Sequence, residues 1–288
     1  MANIYITGGT GFIGRNLISL LNSRGHKCFV ITRKPSSYNN SSIHFLKCDL
    51  LNCENFDSLF KIAKPDLLIH LAWDIKTKDY SSSKVNLLWL EKSIQLCKSF
   101  IRSGGKKVIV AGTCFEYDLS RKVILKENSP CVPTTLYGQS KQKLHKSLYK
   151  LCKQYSTNLV WTRIFYAYGP NEEKRKIISY VVNNLTNKEN VKIKTPYDVI
   201  DYIHVTDISR ALSLLAELNT KGIFNICSGK GTPIIEIVRH IAKRYGREDC
   251  LSFDSSESPK YIVGDNSKLL KLGFNCRYDI YQGISTYF

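Results

Sequence analysis

Apolar and polar positions alternate regularly through the first half of the chain. Apolar runs of strand length occur at 4–6, 28–32, 43–48, 67–71, 108–112 and 159–165. Amphipathic stretches lie between them at 12–23, 56–63, 85–103 and 136–155. Because strands that alternate with helices form βαβ units, this pattern predicts an α/β fold with a doubly wound parallel sheet.

The alternation becomes less regular after Gly169-Pro170. We expect a first domain over 1–165 and a smaller C-terminal cap over 166–288. Apolar runs at 201–205 and 222–227 predict that 198–228 returns strands to the first domain.

Composition indicates a globular protein outside the membrane. Hydrophobic residues make up 43% of the 288 residues, and no apolar run approaches the roughly 20 residues that span a bilayer. The N-terminus lacks a signal-peptide pattern, so a cytoplasmic location is expected. The ten cysteines are scattered, without a CxxC pair or a zinc-like spacing, which favours reduced thiols and no metal site.

The net charge of +18 allows three interpretations. It fits a lysine-rich solvated surface, the attraction of a phosphorylated ligand, or nucleic-acid binding. The basic residues are dispersed, and their longest run is Lys174-Arg175-Lys176. A solvated surface is therefore favoured, and nucleic acid is the least favoured partner.

A glycine-rich turn follows the first predicted strand. Gly8 permits a tight turn, Gly11 lets the backbone approach a pyrophosphate, and Gly14 lets the following helix pack closely on the strand. Phe12 and Ile13 belong to the same turn. The N–H groups at the start of the helix attract phosphate, so the turn predicts a nicotinamide dinucleotide site.

The residues after the second strand favour NADP over NAD. An NAD site usually places a carboxylate there to hold the ribose hydroxyl. This chain has Thr32-Arg33-Lys34 instead. A hydroxyl followed by two cations suits the additional phosphate of NADP.

A tyrosine and a lysine lie one helical turn apart in Tyr137-Gly138-Gln139-Ser140-Lys141. The lysine charge is expected to lower the tyrosine pKa, so that the phenol exchanges a proton with a carbonyl or alcohol oxygen. Thr113 ends the fifth strand and can hold the same oxygen. We expect Thr113, Tyr137 and Lys141 to form the catalytic group.

These motifs resemble an extended short-chain dehydrogenase/reductase of the nucleotide-sugar epimerase/dehydratase type. The similar segments extend over nearly the whole chain, at 7–14, 49–50, 70–72, 111–113, 137–141, 163–170, 201–207 and 224–226. The resemblance implies a Rossmann fold, a Thr–Tyr–Lys catalytic group, and a nucleotide-diphosphate sugar as substrate. It also implies a homodimer formed by the helices near 85–103 and 136–155.

Further site residues follow from the resemblance alone. It places Asp49 and Leu50 at the adenine, and Leu71 and Ala72 along the dinucleotide. It places Ile164 and Phe165 beside the nicotinamide, and Tyr166 toward the sugar. Asn86 is expected in the same region, and the C-terminal cap is expected to bind substrate.

Departures from the family pattern narrow the choice of reaction. Dehydratases carry Asp-Glu after the catalytic Thr, whereas this chain has Cys114-Phe115. The epimerase-reductases that make GDP-fucose carry Cys two residues after the catalytic Ser, where Phe115 stands here. We therefore interpret Cys114 as a packing residue. Two reactions stay open: NADPH-dependent reduction of a nucleotide-linked 4-keto-6-deoxyhexose, which is favoured, and 4-epimerisation with bound NAD.

A non-catalytic sensor or nucleic-acid binder is the alternative of another class. Nucleic-acid binding with a steep salt dependence, unchanged by Tyr137→Phe, would favour it.

One family arginine is replaced by Ile200. Lys192, Lys194, Arg175 and Lys260 are the candidates to contact the sugar-nucleotide phosphates in its place.

Three polar residues receive structural interpretations. His70 and His204 lie in apolar runs and are expected to be hydrogen-bonded structural histidines. Asp207 is expected to cap a helix over 208–218.

Overall fold

The computed structural model describes residues 1–35, 41–75, 77–254 and 258–288. The chain forms two compact units. The first comprises Met1–Tyr117, Cys131–Arg163 and Ser209–Phe224, and the second comprises Asp118–Pro130, Ile164–Ile208 and Asn225–Phe288.

Fifteen strands are described. They are β1 (Asn3–Thr7), β2 (Lys27–Thr32), β3 (Ile43–Lys47), β4 (Leu67–His70), β5 (Lys107–Thr113), β6 (Ile124–Leu125), β7 (Asn158–Ile164), β8 (Tyr166–Tyr168), β9 (Val191–Ile193), β10 (Val199–Ile200), β11 (Tyr202–His204), β12 (Gly222–Ile226), β13 (Thr232–Pro233), β14 (Leu251–Phe253) and β15 (Tyr261–Gly264).

Eight α-helices and four 3₁₀ turns connect the strands in the described chain. The helices are α1 (Phe12–Ser23), α2 (Val85–Arg102), α3 (Leu136–Gln154), α4 (Ile177–Thr186), α5 (Val205–Glu217), α6 (Ile234–Tyr245), α7 (Ser267–Leu270) and α8 (Ile280–Ile284). The 3₁₀ turns are Asp57–Phe60, Cys114–Glu116, Glu248–Cys250 and Ser285–Tyr287. None of the helices in the described ranges combines the length and the apolar character that crossing a bilayer requires.

The main sheet has seven parallel strands in the order β12-β7-β5-β4-β1-β2-β3. In the paired registers β1 lies between β2 and β4, with Tyr5 opposite both Phe29 and Leu68. The chain leaves β1 in one direction and later returns to its other side, which is the doubly wound topology. The predicted Rossmann fold is confirmed.

Aromatic and aliphatic side chains of the first unit form its core. The Tyr5 ring stacks on Phe29 at 4.7 Å and meets the edge of Phe60 at 5.0 Å. Phe100 of α2 packs on Phe60 at 5.5 Å, and Trp161 of β7 is fully buried in the same cluster. Burial of these rings in one cluster against the sheet fixes the strand ends that carry the site.

The second unit contains small sheets, in the orders β13-β10-β15-β6, β11-β8 and β14-β9. Asp201, which is fully buried, joins its loops: the carboxylate accepts N–H bonds from Ser228 at 2.8 Å, Gly229 at 3.0 Å and Gly264 at 3.2 Å. Burial raises the Asp201 pKa to about 6 although these donors oppose the shift.

The division differs from the predicted boundaries in two places. Residues 118–130 belong to the second unit, because β6 pairs with β15 there. Of the stretch 198–228, residues 209–224 belong to the first unit, and β12 returns to the main sheet beside β7 as predicted. Strands β10 and β11 stay in the second unit, because they pair with β15 and β8.

Two local predictions differ in detail from the structure. The short helix predicted near 56–63 is a 3₁₀ helix limited to Asp57–Phe60. Helix α5 begins at Val205, so Asp207 lies inside its first turn and does not cap it. The Asp207 carboxylate instead accepts the backbone N–H groups of Arg277 at 2.9 Å and Tyr278 at 3.1 Å.

Candidate active site

The carboxyl ends of β1 and β4 lie side by side where the strand order reverses. In doubly wound sheets this point leaves a crevice for ligands. Thr7 joins the two strand ends. Its Oγ1 accepts the Ala72 N–H at 3.2 Å and lies 2.7 Å from His70 Nδ1. Leu71 and Ala72 are therefore held beside the glycine turn, and their contact with a dinucleotide stays a prediction.

Space at the glycine turn is too tight for side chains. Gly8 has a φ of +69°, and a Cβ there would lie 2.8 Å from the Ala72 nitrogen. A Cβ on Gly14 would lie 2.2 Å from the Gly8 carbonyl oxygen. Gly11 precedes α1 and has no side chain with which to cap the helix. The N–H groups of the first turn, which contains Phe12 and Ile13, are therefore not engaged by a side chain of Gly11. The turn fits a pyrophosphate.

The end of β2 presents a hydroxyl and two cations. Thr32 is buried, and its Oγ1 accepts the Lys34 N–H at 3.3 Å. Thr10 Oγ1 lies 3.5 Å from Thr32 Oγ1, which links this strand end to the glycine turn. Arg33 and Lys34 are both exposed. Their guanidinium and ammonium groups are thus open to an anionic ligand.

Asp49 and Leu50 follow β3. The Asp49 carboxylate is engaged locally, since it accepts the Leu51 N–H at 3.3 Å and the Asn52 side-chain amide at 2.9 Å. Leu50 is buried. These contacts shape the loop at the edge strand, and the proposed adenine contact stays a prediction.

Thr113 and Tyr137 are brought together by two capped turns. Thr135 caps α3 by accepting the Gly138 N–H at 3.1 Å. A Cβ on Gly138 would lie 2.5 Å from the Phe115 carbonyl oxygen, so only glycine lets α3 approach the turn after β5 this closely. As a result the Tyr137 phenol hydrogen-bonds the Thr113 side chain.

Lys141 lies one turn further along α3 and is buried. Its Nζ donates to the Ala111 carbonyl at 2.7 Å and lies 3.9 Å from the centre of the Trp73 ring. Nζ is also 5.9 Å from the Tyr137 ring centre. The structure thus brings Thr113, Tyr137 and Lys141 into one cluster, as the sequence predicts.

The ionisation of this cluster differs from the expectation. Burial raises the pKa of Tyr137 above its usual range, while the Thr113 hydrogen bond lowers it. Burial also lowers the pKa of Lys141 to about 7, and the Glu116 carboxylate opposes that shift. The predicted lowering of the tyrosine pKa is not found in this structure, because desolvation of the phenol dominates over neighbouring charge.

Aromatic rings that the sequence interpretation missed surround Tyr137. Tyr80 lies at 5.3 Å, Trp73 at 6.2 Å and Phe115 at 6.5 Å between ring centres. The Trp73 indole N–H donates to Asn86 Oδ1 at 2.7 Å. Asn86 therefore has a defined place near the site, as the support of Trp73.

Glu116 was also missed by the sequence interpretation. It is fully buried, and its carboxylate accepts the Thr113 N–H at 2.9 Å, the Trp161 indole N–H at 3.0 Å and the Arg163 Nε–H at 3.0 Å. The sequence signal that could have identified Glu116 is its position as a single acidic residue within the apolar segment 114–117. A buried carboxylate requires such partners.

The histidines and Cys114 have structural surroundings. His70 is buried, with Nε2 2.8 Å from Ser93 Oγ, and burial followed by the Lys141 charge lowers its pKa to about 3. His204 Nδ1 accepts the Thr206 N–H at 3.3 Å, and its Nε2 lies 3.2 Å from Thr286 Oγ1. The structural interpretation of both histidines is confirmed. Cys114 is buried directly after Thr113, which agrees with a packing role.

The remaining predicted residues belong to the second unit. Ile164 ends β7, Phe165 is buried, and Tyr166 begins β8 with its ring 5.7 Å from Tyr202. Ile200 is buried in β10. The four candidate cations are all exposed: Lys192, Lys194, Arg175 and Lys260. Arg175 also pairs with Glu173.

Known proteins share this sequence pattern and fold. The chain is 27% identical over 233 residues to the dTDP-6-deoxy-L-talose 4-dehydrogenase (NAD(+)) of Aggregatibacter actinomycetemcomitans, covering 79% of this chain and 85% of that one. It is 25% identical over 300 residues to the UDP-glucose 4-epimerase of Halalkalibacterium halodurans, covering 91% and 89%.

The fold has a solved counterpart in MoeE5, whose structure is in complex with UDP-glucuronic acid and NAD. The TM-score is 0.86 at 22% identity, covering 99% of this chain and 97% of that chain. The model of the NAD dependent epimerase/dehydratase family matches residues 4–227, which include the glycine turn and all three residues of the Thr113–Tyr137–Lys141 cluster. The chain is therefore a member of the NAD-dependent epimerase/dehydratase family.

Proposed function

We propose that the protein reduces the C4 keto group of a nucleotide-linked 4-keto-6-deoxyhexose with NADPH. The product is a nucleotide-activated deoxysugar for glycan biosynthesis. The observation that carries the proposal is the Thr113–Tyr137–Lys141 cluster followed by Cys114-Phe115. Tyr137 is the proton donor there, and no Asp-Glu pair follows Thr113 to eliminate water.

Tyr137 is protonated before the proposed reduction. Since burial raises its pKa, the phenol carries its proton at neutral pH and can donate it to the C4 oxygen. Thr113 holds that oxygen, and the Lys141 ammonium stabilises the phenolate that remains. The dinucleotide, when bound, supplies the hydride to C4, so that hydride and proton together convert the ketone to an alcohol.

The dTDP-6-deoxy-L-talose dehydrogenase supports the choice of substrate. Its name places a dehydrogenation at position 4 of a 6-deoxyhexose, the reverse of the reduction proposed here, and this chain is 27% identical to it. That name specifies NAD. For this chain we propose NADP, because Arg33 and Lys34 are exposed at the end of β2 and suit a ribose phosphate.

A 4-epimerase with bound NAD is the second candidate. The similarity to a UDP-glucose 4-epimerase over 91% of the chain favours it. An epimerase removes and returns the same hydride, so it retains its cofactor, whereas a reductase exchanges a consumed one. Whether the protein retains or exchanges its dinucleotide therefore distinguishes the two reactions.

The deciding experiment identifies the dinucleotide that co-purifies and then titrates the stripped protein with NADPH and NADH. We expect weakly held NADPH, preferred over NADH by about tenfold, and oxidation of NADPH with nucleotide-linked 4-keto-6-deoxyhexoses. An Arg33→Ala variant should lose the preference, whereas Arg24→Ala, an exposed arginine after the end of α1, is the matched control. Tightly bound NAD, with interconversion of two hexoses without added cofactor, would replace the reductase by the epimerase.

The substrate side of the proposal rests on the second unit. We propose that Ile164 and Phe165 border the nicotinamide and that Tyr166 contacts the sugar. One of the exposed cations Lys192, Lys194, Arg175 and Lys260 would contact the phosphates in place of the family arginine. The chain is further proposed to act as a homodimer through α2 and α3.

A further inference from the structure

A buried ion pair lies directly behind the catalytic threonine. Both oxygens of Glu116 lie 3.0 Å from the Trp161 indole nitrogen. One oxygen also accepts the Thr113 N–H at 2.9 Å, and the other accepts Arg163 Nε–H at 3.0 Å. Arg163 is itself buried and stands 4.4 Å above the Tyr117 ring. The described partners of the Glu116 carboxylate are Thr113, Trp161 and Arg163, which belong neither to the glycine turn nor to the end of β2.

Glu116 is ionised in this arrangement. Every partner that the described residues offer to its carboxylate is a donor, and a protonated carboxyl would need an acceptor. Burial raises the pKa of Glu116, but the Arg163 charge and these donors lower it, while the carboxylate raises the pKa of Arg163. The pair therefore remains charged because each partner compensates the other.

The local backbone is shaped around this carboxylate. Gly112 leaves room for it, since a Cβ there would lie 2.3 Å from the Trp161 indole nitrogen and 2.5 Å from Glu116 Oε1. Thr113 and Glu116 form a capping box: Glu116 accepts the Thr113 N–H, and Thr113 Oγ1 accepts the Phe115 N–H at 3.3 Å. The Thr113 hydroxyl therefore has one lone pair engaged, and its O–H and second lone pair are left for Tyr137 and for the oxygen of the proposed substrate.

We propose that Glu116 is a positioning residue: its carboxylate, held by Trp161 and Arg163, fixes the turn that carries Thr113 and so keeps the Thr113 hydroxyl against Tyr137. The role rests on the proposed oxidoreductase chemistry at Thr113 and Tyr137. It applies equally to reduction and to epimerisation, because both reactions need a held C4 oxygen.

Two double variants test this role without leaving a buried charge unpaired. In Glu116→Met/Arg163→Met the acceptor for the Thr113 N–H is lost but the volume is kept. In Glu116→Gln/Arg163→Met an amide oxygen still accepts that N–H. We expect kcat of the Met/Met variant to fall by about 30- to 100-fold, since small displacements at a reacting centre have effects of this size. The Gln/Met variant should recover most of that loss.

Controls separate positioning from general stability. The dinucleotide dissociation constant should stay within about twofold of wild type in both variants, because the cofactor turn lies elsewhere. Glu217→Gln removes an exposed carboxylate that pairs with Arg24 at 2.7 Å and should leave kcat unchanged. Equal kcat in the two double variants, or loss of folding in both, would reduce Glu116 to a structural residue and overturn the proposal.

The readout does not depend on the identity of the substrate. Rates are compared on whichever nucleotide sugar the wild type converts, so an epimerase result leaves the test intact. If the wild type converts none, the proposed function fails, and crystal structures of the variants still decide the role of Glu116. The hydrogen bond between Thr113 and Tyr137 should persist in Gln/Met and be broken in Met/Met; its persistence in both would overturn the proposal.

Discussion

At the scale of single residues, the proposed proton transfer depends on the Tyr137 phenol. Replacing it by Phe removes the hydroxyl and keeps the ring that packs against Tyr80 at 5.3 Å. We expect Tyr137→Phe to lower kcat by about 10²- to 10⁴-fold, the usual contribution of a general acid. Dinucleotide affinity, measured by fluorescence titration, should remain within about twofold. Tyr149→Phe, an exposed tyrosine of α3, is the control, and unchanged turnover in Tyr137→Phe would remove the phenol from the mechanism.

The burial of Lys141 predicts how the free energy of unfolding depends on pH. Its pKa in the folded chain is about 7, against 10.5 for an ordinary lysine, chiefly because of burial. Between these values the unfolded chain binds more protons at this site than the folded chain, so the lysine's destabilising effect is complete below pH 7 and disappears as pH rises. Lys141→Met should therefore gain stability over wild type at about pH 6, and roughly 3 kcal/mol of that gain should vanish by about pH 9.

Urea unfolding of wild type and Lys141→Met at both pH values measures this difference directly. Lys150→Met, on the exposed face of the same helix, gives the baseline for a lysine with free access to water. A gap between wild type and Lys141→Met that stays constant with pH would mean that burial does not shift the Lys141 pKa.

At the scale of elements, the start of α3 sets the distance between the proposed catalytic side chains Thr113 and Tyr137. A methyl group at Gly138 would meet the Phe115 carbonyl, a backbone atom that cannot rotate away. We expect Gly138→Ala to push α3 off the turn at 114–116 and to lower kcat by about 10- to 100-fold. Dinucleotide affinity should change little, because the glycine turn precedes a different helix. Gln139→Ala, at the next and exposed position, is the matched control; equal rates in both variants would contradict the tight contact.

Elements with strong local signals were predictable. Helix α1 matches its predicted range of Phe12–Ser23, because the glycine turn and the amphipathic period define it. The stretch 56–63 was not predictable, since a short apolar segment packs equally well as a 3₁₀ turn. Asp207 follows a strand end as a helix cap would, but contacts with 277–278 from the far end of the sequence determine its role.

In the candidate site, too, the contacts between residues close in sequence were predictable and the long-range contacts were not. Tyr137 and Lys141 are four residues apart on one helix, so their sequence spacing already implies proximity. Glu116 and Trp161 are 45 residues apart, and only the sheet brings them together. Trp73 is still further from Lys141 in the sequence, and no local pattern indicates that its ring covers the ammonium. Long-range packing also explains the raised Tyr137 pKa, because burial cannot be inferred from neighbouring charges in the sequence.

At the scale of the whole molecule, α2 exposes apolar side chains that a water-facing helix would not need. Val85, Leu87 and Leu88 are 42%, 46% and 38% exposed, although the opposite side of the helix lies in the core. Burying such a surface against a second copy would release about 25 cal/mol for each Å² of apolar area. The proposed dimer therefore predicts a species of twice the 32.9 kDa chain mass in solution.

Leu88→Glu should dissociate this dimer, because a carboxylate at the centre of an apolar interface loses its hydration without gaining a partner. Size-exclusion chromatography with light scattering should show the variant at the mass of a single chain under conditions where wild type is dimeric. Leu270→Glu, which places the same charge at an exposed leucine of α7, should stay dimeric. A wild-type protein that is monomeric at all concentrations, or dissociation by both variants alike, would exclude α2 as the dimer interface.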